Sequence, residues 1–76
     1  MNGYIGGRLR GLRRYRNMSQ ETLAVRAGIS QTQLSKIENY KSAPRYSTAY
    51  RLARELDVTP AYLHGLDDYE PLGDDS

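Results

Sequence analysis

The chain has 76 residues, 38% of them hydrophobic, one histidine, no cysteine and a formal net charge of +2. That length fits one small domain, which buries only about 60% of the surface its unfolded chain exposes, so stability must come from economical packing. The lack of cysteine excludes disulfides and thiolate metal sites and suits a reducing compartment; no apolar run is long enough to span a membrane, and the N-terminus lacks a signal-peptide core, so a cytoplasmic protein is expected.

The net charge hides an asymmetry. Residues 1–66 hold all eleven Lys and Arg against four acids, Glu21, Glu38, Glu55 and Asp57, giving +7, whereas the last ten residues hold five acids and no base, giving −5. A basic body with an acidic tail raises the expectation of a polyanion partner, although many soluble domains are basic without binding nucleic acid.

Residues 1–4 read as a flexible N-terminus. Ile5, Leu9, Leu12 and Arg16 then recur at helical spacing, which predicts a first helix over about 5–16. It carries Arg8, Arg10, Arg13, Arg14 and Arg16 and no acid. Arg13 lies one turn after Leu9 and beside Leu12, so it borders the buried face and needs a partner. Arg8 and Arg10 read as a solvated face. For Arg14 and Arg16 the spacing does not indicate phosphate contact.

Ser19 is placed to cap a second helix, with Met18 and Leu23 as a hydrophobic staple across the cap. Gln20 then occupies the first helical position, where exposed backbone N–H groups and the helix dipole favour an anion. The pattern Leu23, Ala24, Ala27 ends at Gly28, a residue that adopts the left-handed helix-terminating conformation cheaply. Two residues later Ser30 is a natural N-cap, Gln33 is placed to complete a capping box, and Ile29 and Leu34 form a second staple. Two helices about three residues apart must cross steeply, and Ala24 sits where a large side chain would prevent the crossing.

The third helix, expected over about 31–40, has two faces. At about 100° per residue Leu34, Ile37 and Glu38 point one way, and Thr32, Lys36 and Asn39 the other, flanked by Gln33 and Ser35. Gln31 stands at the helix tip. Such side chains can read base edges, since Gln pairs bidentately with adenine, Lys donates to guanine, and Ser and Thr serve several bases. An ordinary solvated face would have the same composition, so the residues alone leave both readings open.

Leu23, Ala24, Ala27, Gly28, Ile29, Leu34 and Ile37, within MSQETLAVRAGISQTQLSKIEN, resemble the helix-turn-helix of the phage-repressor family, the Cro/CI or XRE-type regulators. The resemblance covers about Ile5 to Gly65. It implies an all-α, compact, five-helix lambda-repressor-like DNA-binding domain over residues 5–66. It also implies a structural ion pair between Arg13 and Glu38, and a Gln20 that touches the DNA backbone while bracing Gln31. Base reading then falls to Gln31, Thr32, Gln33, Ser35 and Lys36, and backbone contact to Gln20, Asn39, Tyr40, Lys41 and Arg45.

After Asn39 the segment YKSAPRY forms a loop. The family usually has glycine where this chain has Tyr40, and tyrosine resists the left-handed conformation, so either the recognition helix runs on or the loop bends differently. Tyr40 would give its hydroxyl to a phosphate or pack on Arg45. In relatives a cation after the loop proline approaches the minor groove, and Arg45, following Pro44, holds that place.

Ser47 is expected to cap a fourth helix built on Ala49, Leu52, Ala53 and Leu56. Thr59 and Pro60 open a short fifth helix, with Val58 and Leu63 as a staple and Gly65 as its end. The resemblance implies a dimer contact near that helix, for which Tyr46, Tyr62 and Leu66 are candidates; core or rim packing would explain them equally well. Residues 67–76 read as a disordered acidic tail, a truncation point before a further C-terminal domain in this family. Its carboxylates read as solvated charge, so neither a metal nor another cofactor is expected.

Three functions compete. The first is a sequence-specific double-stranded DNA-binding transcriptional regulator, a homodimer on a roughly palindromic operator. The second is an antitoxin or protein-interaction module on the same fold, with the tail serving a protein partner. An enzyme is the third and has least support, because His64, the single histidine, has no cysteine or paired acid near it.

Overall fold

Why five short helices hold together at this length is visible in their ends as much as in their core. The structure, a computed structural model, describes residues 3–64 and consists there of α1 (Gly3–Tyr15), α2 (Gln20–Ala27), α3 (Gln31–Glu38), α4 (Tyr46–Glu55) and α5 (Pro60–Leu63). No helix among the described residues is long and apolar enough to cross a membrane. The acidic tail, Gly65 and Leu66 lie outside the described residues.

Three helix starts follow the side-chain capping expected of their residues. Ser19 Oγ accepts the Thr22 N–H at 3.0 Å, Ser30 Oγ accepts the Gln33 N–H at 3.0 Å, and Thr59 Oγ1 accepts the Tyr62 N–H at 3.0 Å. The start of α4 corrects an expectation. Arg45, not Ser47, is its N-cap, with no side-chain bond to the helix, and Ser47 is an exposed second-position residue. Burial decides this boundary: Thr48 and Ala49 are drawn into the core, and the Ala49 N–H closes the first turn on the Arg45 carbonyl at 2.9 Å. The first helix also begins at Gly3, two residues before its expected start, because Ile5 is anchored in the core and the turn preceding it continues the same hydrogen-bonded ladder.

The first four helices end alike. The residues at positive φ are Asn17, Gly28, Tyr40 and Asp57. In each case the next N–H reaches back five residues, as Ile29 N does to Ala24 O at 3.0 Å and Lys41 N to Lys36 O at 2.8 Å. Those are Schellman closures, which satisfy carbonyls that a helix end leaves orphaned. Only one of the four uses glycine.

Tyr40 corrects the expectation attached to it. It takes φ +63° and does what the family's glycine does, so α3 stops at Glu38 and does not run on to residue 40. A left-handed non-glycine residue costs roughly 1–2 kcal/mol, and the compensation lies on α1. The Tyr40 ring rests against Gly6 and Gly7: a Cβ on Gly6 would stand 2.7 Å from ring carbons Cδ1 and Cε1, and one on Gly7 would stand 2.7 Å from Oη. Two glycines in one helix turn are a groove for this ring. The alternative packing on Arg45 is thereby replaced by packing on α1.

The core is leucine-rich. Leu9, Leu23, Leu34, Ile37, Leu52, Leu56 and Leu63 are fully buried, with Ala24, Ala27, Ala49 and Ala53 where helices approach closely. Burying each large side chain contributes about 1.5–3 kcal/mol. Helix α1 packs on α3 and α5, α2 on α3 and α4, and α4 on α5. This leaves one side of α3 uncovered.

Candidate nucleic-acid interface

The interface is assembled around a carboxylate buried beneath it. Glu38, on the inward side of α3, is fully buried. Arg13 meets it with two parallel bonds, Nε to Oε2 at 2.7 Å and Nη2 to Oε1 at 2.9 Å, and spends Nη1 on the Met18 carbonyl at 2.9 Å. Forked pairing of this kind is the strong form of the Arg–carboxylate interaction. Burial alone would push the Glu38 carboxyl up, but hydrogen bonds from Arg13 and Gln20 and the charges of Arg13 and Arg10 outweigh it and hold the group below the ordinary glutamate value. The same pairing raises the Arg13 guanidinium.

From that carboxylate the order passes outward. Gln20 Nε2 donates to Glu38 Oε1 at 3.1 Å, and Gln20 Oε1 accepts from Gln31 Nε2 at 3.5 Å. The two glutamines and the carboxylate therefore form one chain from the core to the tip of α3. Gln20, Gln31, Thr32, Ser35 and Lys36 line a shallow concavity of about 300 Å³. Gln31, Thr32 and Lys36 are exposed and Ser35 half-buried. Gln33 is exposed but outside the concavity, on the far rim of the helix.

The other end of α3 is bound differently. Asn39 Nδ2 donates to the Ser35 carbonyl at 2.9 Å and to Ser35 Oγ at 3.3 Å, and its Oδ1 accepts from Arg10 Nη2 at 2.9 Å. Its amide nitrogen thus serves α3 itself. Tyr40 is 56% exposed and Lys41 and Arg45 are exposed, Arg45 at the start of α4.

Two arginines read as solvated are not. Arg10 Nη2 also donates to the Glu38 carbonyl at 3.2 Å, and the Arg8 guanidinium lies 4.6 Å from the Tyr62 ring centroid. The signal for Arg10 was available: it stands three residues before Arg13 on a helix and so shares its face. A further cation had no such signal. Arg51, on α4, donates Nη1 to the Ala27 carbonyl at 3.2 Å and so closes the end of α2 next to the Gly28 turn.

Among the described residues no group of three or more His, Cys, Asp or Glu side chains could hold a metal. The surface offers amide, hydroxyl and ammonium groups in a row, with cations at its margins. It can exchange hydrogen bonds with a polar, anionic partner.

Comparison with known proteins agrees with this geometry. The family model described as Helix-turn-helix matches residues 9–63. An uncharacterized HTH-type transcriptional regulator, y4dJ of Sinorhizobium fredii (strain NBRC 101917 / NGR234), is 34% identical over 73 residues, 96% of this chain and 95% of that one. Among solved structures, the restriction-modification controller protein C.AhdI from Aeromonas hydrophila superposes with a TM-score of 0.78 at 32% identity, over 82% of this chain and 94% of that one. The P22 c2 repressor, solved in complex with a synthetic operator, gives a TM-score of 0.78 at 27% identity, over 83% of this chain and 96% of its own.

Proposed function

Because the chain belongs to the phage-repressor-like helix-turn-helix family, we propose that it is a transcriptional regulator that binds double-stranded DNA sequence-specifically, with α3 in the major groove. The observation that carries this reading is the uncovered polar side of α3, which is rigidly backed by the Glu38 network and has no packing role in the fold. An eight-residue helix is about 12 Å long, which suits a groove about 12 Å wide.

The network also sets polarity. An ionised carboxylate only accepts hydrogen bonds, so Gln20 must turn its amide nitrogen to Glu38 and its oxygen to Gln31. Gln31 in turn gives one N–H to Gln20, leaving its carbonyl oxygen and second N–H for the groove. One acceptor beside one donor matches adenine N6 and N7. Thr32, Ser35 and Lys36 extend the reading surface. Gln33, on the rim, would reach bases only if the helix is rolled toward it.

Gln20, Tyr40, Lys41 and Arg45 are assigned to the backbone or the groove edge. Asn39, also assigned to the backbone, bonds Ser35 through its amide nitrogen and so steadies that residue as well. One half-site offers few contacts, and a homodimer on a roughly palindromic site about one helical turn between half-sites follows. Exposed Tyr46 and half-buried Tyr62 supply surface for that contact. Such a protein works in the cytoplasm, where the DNA is.

Selection of bound sites from random duplex DNA at moderate salt tests the proposal, and failure to retain any duplex even at low ionic strength would refute it. On the selected site, Gln31→Ala should lose about 1–3 kcal/mol of discrimination at one base pair, leaving other positions unchanged. Arg45→Ala should instead weaken all sequences alike and make the log–log salt dependence shallower by about 0.9.

A further inference from the structure

We infer that Arg10 is a DNA phosphate-contact residue at the C-terminal end of α3, a role that rests on the DNA-binding reading above. Its guanidinium spans the helix end: Nη2 donates to the Glu38 carbonyl at 3.2 Å and to Asn39 Oδ1 at 2.9 Å, and Nε lies 3.9 Å from Glu38 Oε1. Nη1 has no partner among the described residues, and the side chain is 37% exposed. Asn39 belongs to the outward set of α3 with Thr32 and Lys36, so an arginine bonded to its side-chain oxygen stands at the margin of the reading surface.

Electrostatics gives that position a purpose. The C-terminal end of a helix is its negative pole, so a DNA phosphate would be repelled there unless a cation intervened. Arg13 is consumed by Glu38 and Met18. Arg10 neutralises the helix end with one edge and keeps the other, two N–H groups in a plane, for a phosphate oxygen. The contact adds to the one assigned to Gln20, so α3 is tied to the backbone from both α1 and α2. Through Asn39, a phosphate on Arg10 also steadies Ser35, whose carbonyl and hydroxyl both accept from that amide.

The test measures affinity for the selected duplex as a function of salt, for the wild-type chain, Arg10→Gln and Arg10→Lys. Each phosphate contact contributes about 0.9 to the log–log salt slope. Arg10→Gln should reduce the slope by about that amount and weaken binding roughly tenfold, whereas Arg10→Lys should keep the slope. A residue that merely clamps the helix end would lower affinity and melting temperature with the slope intact, and that result overturns the inference. Loss of slope in Arg10→Lys equal to that in Arg10→Gln would also overturn it. Should Arg10→Gln fail to fold, the guanidinium nitrogen resonance of Arg10 in the wild-type chain decides: it should shift when duplex is added, and an unmoved signal rejects the contact. If the wild-type chain bound no duplex, the reading of the whole surface would fail, a result distinct from any of these.

Discussion

Glu38→Ala is expected to lose about 3–5 kcal/mol of stability, because it strands the Arg13 guanidinium without its carboxylate in a largely buried site. Single domains have about 5–15 kcal/mol in total, and one of this size sits near the lower end. At roughly 4–8 °C per kcal/mol, the variant should melt tens of degrees below the wild type or be unfolded outright. A urea titration followed by circular dichroism reads this directly, and a loss under about 1 kcal/mol would mean that the pair is solvated and contributes little.

The same pair predicts how stability depends on pH. The folded state holds the Glu38 carboxyl below its ordinary value of about 4.3, so the stability it supplies is complete above that value. It is lost as the pH falls through the lower, folded-state value. Comparison with Glu38→Gln isolates the effect. The wild type should exceed the variant by a constant amount near neutrality, and the difference should shrink in acid as the wild-type carboxyl protonates and resembles the amide. A difference that grew with acidity would have the wrong sign for a depressed carboxyl.

The second large effect separates glycines that sit in the same helix. Alanine is favoured over glycine in a helix interior by about 1 kcal/mol, so two substitutions in α1, at Gly6 and Gly11, would look equivalent by propensity. Gly11 has nothing within 4 Å of an added Cβ, and Gly11→Ala should stabilise by about that amount. At Gly6 the same methyl would stand 2.6 Å from the Ile37 carbonyl oxygen and 2.7 Å from the Tyr40 ring, so backbone must move. Gly6→Ala should therefore destabilise by about 1–3 kcal/mol. Thermal melts of both variants check the contrast, and stabilisation by both would show that α1 does not approach the Ile37 carbonyl and the Tyr40 ring this closely. Removing the ring with Tyr40→Gly should leave Gly6→Ala still costly, since the Ile37 carbonyl is a backbone contact, but less so.

Much of the fold could be read before any coordinates because its determinants are local. Ser19, Ser30 and Thr59 cap helices through atoms three residues away, and Gly28 ends α2 through its own backbone freedom. The apolar rows of α1, α2, α3 and α4 declare their buried faces by spacing. The outward side of α3 was equally legible, as was Arg13's need for a partner. The identity of that partner came from resemblance, since two residues 25 apart have no local signal to join them.

Helix content, the glycine corner between α2 and α3, the buried rows and the polar outward side of α3 belong to the sequence alone, since each depends on neighbours within about four residues. The tertiary structure decided the rest. It placed Tyr40 in a conformation its side chain disfavours, because Gly6 and Gly7 on another helix leave room for the ring. Burial of Thr48 and Ala49 moved the start of α4 ahead of Ser47, and the approach of α1 to α3 turned Arg10 from a solvated cation into the clasp on the end of α3. Contacts between residues distant in the chain have no period or spacing to announce them, and their energies, a few kcal/mol each, suffice to override local preference of about one.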